Sequence, residues 1–369
     1  MTDLWTSSRL SATRRCGRLG HYRYGLGLGE PASDTARFGS VGHEAIEAGL
    51  RAYTAGPEER LLRALAKCDA LPDVYERARA RAAIVGYWER WGAEPWEILA
   101  VEEQFRFLLG DIEIGGKIDA LIRDLATGLV YVVEHKFTSQ DATAGSVYWE
   151  RLTIDTQVSI YVDGAAFLGH GEIAGVIYDA ISKPQHDPAL ATPEERRKYT
   201  IEKRTAGKGC KWCGGVAGGR KKEPVQGTGK APGDLPCPMC KGSGWEVEPK
   251  HEPSRLYAGQ RDSDESPDAF EARVLEAIAK SPDSFYRRAT IVRLEDELPK
   301  MRADILDTIR LAKVADLFDI HPRNPDACAK YGSLCGFFDA CAGRADITDP
   351  VRFPRGMAHA ELAAITPNV

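Results

Sequence analysis

The run GGKIDAL at 115–121, followed after a turn by VYVVEHKF at 130–137, decides how this chain is read. The alternation predicts a strand over Ile112–Leu121 after Gly110-Asp111, and another over Leu129–Phe137 after Ala126-Thr127-Gly128. Ile98–Leu109 alternates more loosely ahead of them, so the three form an antiparallel meander. Asp119 ends one strand, while Glu134 and Lys136, two apart on the next, project to one face. An acid-x-Lys pair also fits an exposed strand face of alternating charge. However, Val132, Val133 and Phe137 make this strand read as buried, and a buried carboxylate and ammonium need a metal or a partner.

Working outward, TARFGSVGHEAIEAGL at 35–50 predicts a helix with His43 and Glu47 on one face. A charged, alanine-rich helical stretch is expected from Glu58 to Trp91. Helical spacing returns over 152–168, with Ile154, Val158, Tyr161, Val162 and Ala165 on related faces, and Val176–Ile181 reads as a further strand. From about Lys183 to Pro253 the composition shifts to Gly, Pro, Lys and Arg without apolar period, which marks an inserted module. Helical patterns resume at Asp268–Ala279 and Leu294–Leu317. The expected organisation is residues 1–183 and 254–369 as one domain interrupted by 184–253. Its fold class is α/β, a central mixed sheet flanked by helices.

At 369 residues, 43% hydrophobic and net charge −5, the chain reads as an ordinary globular protein. No apolar run approaches the ~20 residues that cross a bilayer, and Met1–Leu10 carries no secretory pattern, so a cytoplasmic location without membrane attachment is expected. A local basic stretch runs from Arg196 to Lys222, including Arg220 and Lys221 and opposed only by Glu202. It suits phosphate contact or a solvated loop equally well.

Three further residues follow the strand motif's logic in chain order. His43 sits in FGSVGHEAIE ahead of the meander, and Gln157 and Tyr161 lie one helical turn apart in DTQVSIYVDGA after it. The ordered set His, Asp, Glu-x-Lys, Gln-x-x-x-Tyr resembles the PD-(D/E)XK nuclease superfamily, and within it the RecB-like exonucleases: the AddB nuclease domain, CRISPR-adaptation exonucleases and phage relatives. That resemblance implies a restriction-endonuclease-like core and hydrolysis of DNA phosphodiester bonds. Asp119, Glu134, His43 and the carbonyl of His135 would bind Mg²⁺ or Mn²⁺, hard cations suited to oxygen ligands. Lys136 would assist the attacking water, Gln157 would hold Lys136, and Tyr161 would contact the DNA backbone. Roles in recombination, replication or repair, and a helicase or recombination protein as partner, are expectations of the same resemblance. The chain itself has no P-loop.

The nine cysteines fall into groups, which in a reducing compartment point to metal. CKWCGG at 210–215 and CPMCKGSGW at 237–245 pair two Cys-x-x-Cys units, a strong pattern for Zn²⁺ held by Cys210, Cys213, Cys237 and Cys240. The second half is similar to the zinc repeats of DnaJ-type chaperones, and a segment so poor in apolar residues needs a metal to fold. Cys16, with Cys328, Cys335 and Cys341, resembles the one-early, three-late cysteine set that binds a 4Fe–4S cluster in several RecB-like nucleases. Zinc or unliganded thiols are the alternatives there, and Cys68 reads as a core thiol. Two other functions stay open: a catalytically idle DNA-binding or recruitment protein of the same fold, and a structure-specific endonuclease.

Overall fold

The computed structural model describes residues 3–29, 34–205, 207–218, 222–330, 333–356, 359 and 362. Arg220 and Lys221 of the basic stretch lie outside them. The chain divides into two compact units, 1–186 with 267–369, and 187–266.

The first unit is built on a six-stranded mixed sheet. In chain order its elements are β1 (Leu4–Trp5), α1 (Ser7–Arg15), α2 (Asp34–Arg51), α3 (Pro57–Cys68), α4 (Val74–Trp91), β2 (Trp96–Leu109), β3 (Ile112–Asp124) and β4 (Val130–Thr138). Then come α5 (Thr156–Phe167) and β5 (Ile173–Ser182). The second unit's short strands follow: β6 (Lys203–Thr205), β7 (Lys208–Gly209), β8 (Trp245–Val247) and β9 (Lys250–Glu252). The chain returns through α6 (Pro267–Lys280), β10 (Tyr286–Ile291) and α7 (Glu297–Leu317). The sheet runs β1-β3-β4-β5-β10, and β2 also pairs with β3. β2, β3 and β4 form the expected antiparallel meander, its turns resting on Gly110 and Gly128 in the left-handed region (φ 66° and 75°). β4 and β5 are parallel and joined through α5, and β1 lies parallel to β3.

Both faces of the sheet are covered. Ala120, Ile122, Val133 and Ile181 pack against α2, α3, α4 and α6. On the opposite face Ile118, Leu121, Val132 and Val176 pack with Val158 and Tyr161 of α5 and Ile305 and Ile309 of α7. Each fully buried valine, leucine or isoleucine among them contributes roughly 1.5–3 kcal/mol.

Two helical expectations change. The Glu58–Trp91 stretch is two helices, because Pro72 interrupts it and the Asp73 side chain accepts from the N–H groups of Tyr75 and Glu76, starting α4 afresh. The 152–168 helix starts only at Thr156, capped by Asp155. Residues Arg151–Ile154 form a 3₁₀ turn that leaves Ile154 73% exposed instead of on the buried face. No helix among the described residues is long and apolar enough to cross a membrane.

The second unit closes at Ser266 and not at 253, because the returning chain stays paired with the outgoing one. β6 pairs with β9, Tyr199 bridges Leu256, and the Thr192 and Glu265 N–H groups bond to the carbonyls of Arg261 and Ala189. Within it Arg204 pairs with Glu202, and Lys208 with Glu246.

Candidate active site

The site forms where the sheet's hydrogen bonding runs out. The β3–β4 ladder stops at Ala120 opposite Val133, one residue short of Asp119 and Glu134. Beyond that point the His135 N–H, which a ladder would have used, donates to Asp119 Oδ2 at 2.8 Å. On the other side of β3, Val101 faces Ala120 and Glu103 faces Ile118, while Glu102 between them has φ 59°, a strained value for a glutamate. A pocket opens there, lined by His43, Glu102, Lys117, Asp119, Glu134, Lys136, Gln157 and Tyr161, with Ser7, Ser8, Glu44 and Glu47 among the other contributors. Asp119, Glu134, Lys136, His43, Gln157 and Tyr161, singled out from sequence, thus share one cavity.

Strand alternation sends Glu134 and Lys136 toward α5 and turns the His135 ring the other way, toward α4. That ring is buried. Its Nδ1 lies 3.5 Å from Asp119 Oδ2 and its Nε2 3.0 Å from Tyr87 Oη. Tyr87 in turn donates to Asp179 Oδ2 at 2.9 Å, and Arg288 grips Asp179 with Nε and Nη2 at 2.5 and 2.7 Å. Arg288 also bonds Glu94 and lies over the rings of Trp91 and Trp96. A buried relay therefore runs from Asp119 across β4 and β5 to β10. The sequence reading missed Tyr87, Asp179 and Arg288, and it also missed Glu102 and its ion-pair partner Lys117.

Two helices supply the remaining walls. In α5 the Asp155 cap accepts from the Gln157 N–H (2.7 Å), which points the first turn at the pocket. The Gln157 side-chain amide donates to Glu134 Oε1 (2.8 Å) and to Tyr161 Oη (2.9 Å). This corrects the role expected of it, because the amide restrains Glu134 and not Lys136. Tyr161 is 8% exposed, packed edge-on against Phe105, so its body belongs to the core and only its hydroxyl edge meets the pocket. In α2, a Cβ on Gly42 would come within 2.3 Å of the Phe137 ring, so only glycine lets α2 sit this close to β4. The approach brings His43 Nδ1 to 3.5 Å from Asp119 Oδ2.

The electrostatics are those of a cation pocket. Burial would raise the Asp119 carboxyl, but the bond from His135 and the nearby His43 bring it down to about 2. Burial, and then the negative Asp119, push Glu134 well above the usual carboxylate range. Lys136 is held above its ordinary value: burial opposes its charge, but Glu134 and Asp119 outweigh that. Burial pushes His43 down despite Asp119, which favours the imidazole form that has a lone pair to offer. Glu134 Oε1 takes the bond from Gln157 and lies 3.7 Å from Lys136 Nζ, whereas Oε2 is buried with no protein partner. An orphaned carboxylate oxygen beside a second carboxylate and an imidazole fits a hard divalent cation.

The cysteines form two distinct quartets. Cys210, Cys213, Cys237 and Cys240 are buried with their sulfurs all within 4.8 Å of one another, two pairs at 3.9 and 3.8 Å. A tetrahedral ion with metal–sulfur bonds of ~2.3 Å spaces its ligands by about that much. The Gly244 N–H donates to Cys240 Sγ at 3.2 Å, the kind of bond that stabilises a thiolate. Cys16, Cys328, Cys335 and Cys341 instead line one pocket with Leu19, Tyr22, Phe337 and Phe338. Cys16 is the C-cap of α1, and the chain ends are tied there by Arg15 and Arg18, which donate to the carbonyls of Ala327 and His321.

No curated protein matches the chain. A mixed sheet flanked by helices, with the acid, the acid-x-Lys pair and the glutamine helix converging on one cavity, agrees with the family model that does match. That model, the PD-(D/E)XK nuclease superfamily, covers residues 4–342, and the protein belongs to that superfamily.

Proposed function

We propose that the protein is a divalent-metal-dependent exonuclease that hydrolyses phosphodiester bonds in DNA. The observation that carries this reading is Glu134 Oε2, buried and without a protein partner next to the ionised Asp119. Asp119, Glu134 and His43 would hold Mg²⁺ or Mn²⁺, with the His135 carbonyl as a further ligand, and the cation would polarise the scissile phosphoryl oxygen and acidify a water. Lys136, charged and 3.7 Å from Glu134, orients the attacking water and offsets the negative charge that builds on the phosphorus oxygens. Gln157 fixes the Glu134 carboxylate, and the Tyr161 hydroxyl fixes Gln157. The His135–Tyr87–Asp179–Arg288 relay holds Asp119 as an anion.

In this reading the insert quartet takes Zn²⁺, and the four-cysteine pocket joining the chain ends takes a structural 4Fe–4S cluster. The protein acts in recombination, replication or repair in the cytoplasm of a bacterial or phage-infected cell. A helicase or recombination protein supplies any unwinding.

The test is cleavage of end-labelled linear and circular DNA with Mg²⁺ or Mn²⁺ by anaerobically purified protein. Linear DNA alone should be cut, and Lys136→Ala or Glu134→Ala should lower the rate by about 10²–10³ or more, with melting unchanged. Cutting of circles would replace the exonuclease with an endonuclease. Absence of any cutting would leave a DNA-binding protein of the same fold.

A further inference from the structure

Next to the acidic pocket lies a second cavity of opposite character. It shares Ser7, Ser8, Lys136 and Gln157 with the catalytic pocket, so the two are continuous. Lys136, Arg14, Arg15, Arg23 and Arg151 line it against one carboxylate, Asp155, which is occupied in capping α5. Arg14, Arg15 and Arg151 are positioned by neutral hydrogen-bond and ring partners, with Asp304 and Asp155 acting on Arg14 only through space. Arg14 donates to Thr308 Oγ1 (2.9 Å), the Asp304 carbonyl (3.1 Å) and Thr156 Oγ1. Arg15 donates twice to the Ala327 carbonyl (3.2 and 2.9 Å), and Arg151 lies 4.9 Å over the Tyr148 ring.

We propose that this groove, formed by Arg14, Arg15, Arg23 and Arg151, is the track for the phosphates of the DNA strand whose scissile bond sits at Asp119 and Glu134. The inference rests on the nuclease reading and adds to it where the strand runs. An anion engaging both cavities must carry charge that repeats along its length, one phosphate in the catalytic pocket and others among the arginines. The spacing allows this. α1 passes from Ser7 and Ser8 in the catalytic pocket to Arg14 and Arg15 in the groove, and the eight rises of ~1.5 Å from Ser7 to Arg15 cover about 12 Å. That is longer than one nucleotide step, so at least one phosphate beyond the scissile one is gripped. The helix that aims these arginines ends at Cys16, in the wall of the four-cysteine pocket, which ties the track to the seam between the chain ends.

The experiment measures binding of a fluorescein-labelled 20-nucleotide single strand to the full chain without added divalent metal, over a range of salt. Arg23→Ala/Arg151→Ala should bind at least tenfold more weakly. Its dependence of log affinity on log salt should be shallower by about 1.4, from ~0.7 per single-strand phosphate contact. Arg151→Lys, which keeps the charge, should retain the wild-type slope, and Arg63→Ala on α3, remote in sequence and paired with Glu59, should bind as wild type does. A double variant with wild-type affinity and slope, while the wild type binds and cuts, overturns the track alone. A wild type that neither binds nor cuts DNA overturns the nuclease reading and the track together.

Discussion

In the unit that carries the catalytic pocket, burial belongs to Ile118, Leu121, Val132, Val133, Val158 and dozens of similar side chains on two faces of a sheet. In residues 187–266 the only buried apolar cluster among the described residues is Cys210, Cys213, Cys237 and Cys240. The first unit can position Asp119 and Glu134 because its interior is rigid before any ion arrives. The second has strands of two or three residues and, among the described residues, no apolar interior beyond its cysteines, so the ion proposed for them would serve as its core. On the proposed reading, one unit uses its fold to make a metal site, and the other uses a metal site to make its fold.

The sharpest break in that comparison would come from stripping the insert's ion. Chelation, or Cys213→Ser with Cys240→Ser, should remove a contribution on the order of 10 kcal/mol from residues 187–266. Their amides should lose protection in hydrogen exchange while those of β3 and β4 keep theirs. Protection that survives in 187–266 would mean the insert folds without metal.

The next effect tests the first unit's interior. Asp179→Asn leaves Arg288 without its bidentate partner in a buried position, and urea denaturation should report a loss of about 3–5 kcal/mol. A loss below 1 kcal/mol would show that Glu94 and the tryptophans compensate.

The smallest effect concerns pH. Glu134 holds its proton to a higher pH in the folded state than in the unfolded chain, so between those two values the native state binds more protons. Metal-free stability should therefore fall as pH rises above the ordinary carboxylate range. Asp119, lowered to about 2, stays ionised throughout that window. Glu134→Gln should flatten the difference in stability between pH 5 and 8, and an unchanged slope would assign it to other groups.

Much of the first unit could be read from the residues. The alternation of 98–137 and the turns at Gly110 and Gly128 specify the meander; Glu134 and Lys136 lie on β4, while Asp119, expected to end its strand, lies inside β3, which continues to Asp124. β1 escaped because two residues carry no period, and α1 because SSRLSATRR buries only Leu10 and Ala12. β10, YRRATI, reads as polar because Arg288 finds its partner, Asp179, 109 residues away in sequence. Distance hides Tyr87 for the same reason. Glu102 was hidden differently: a carboxylate on a strand looks the same whether it meets water or a pocket. The role of Gln157 depended on which of two neighbours its amide reached, and one helical turn's orientation decided for Glu134.

The relay from Asp119 to Arg288 has a practical consequence for anyone surveying variants of this protein. Substitutions on β10 or α4 sit far along the chain from the acid-x-Lys motif, and a contact map of the cleft would file them as unrelated to it. Through Asp179, Tyr87 and His135 they nonetheless set the charge and aim of one carboxylate in the cleft. A lesion at Arg288 will thus mimic a lesion in the cleft itself. Variants in this protein are better sorted by cation titration than by distance.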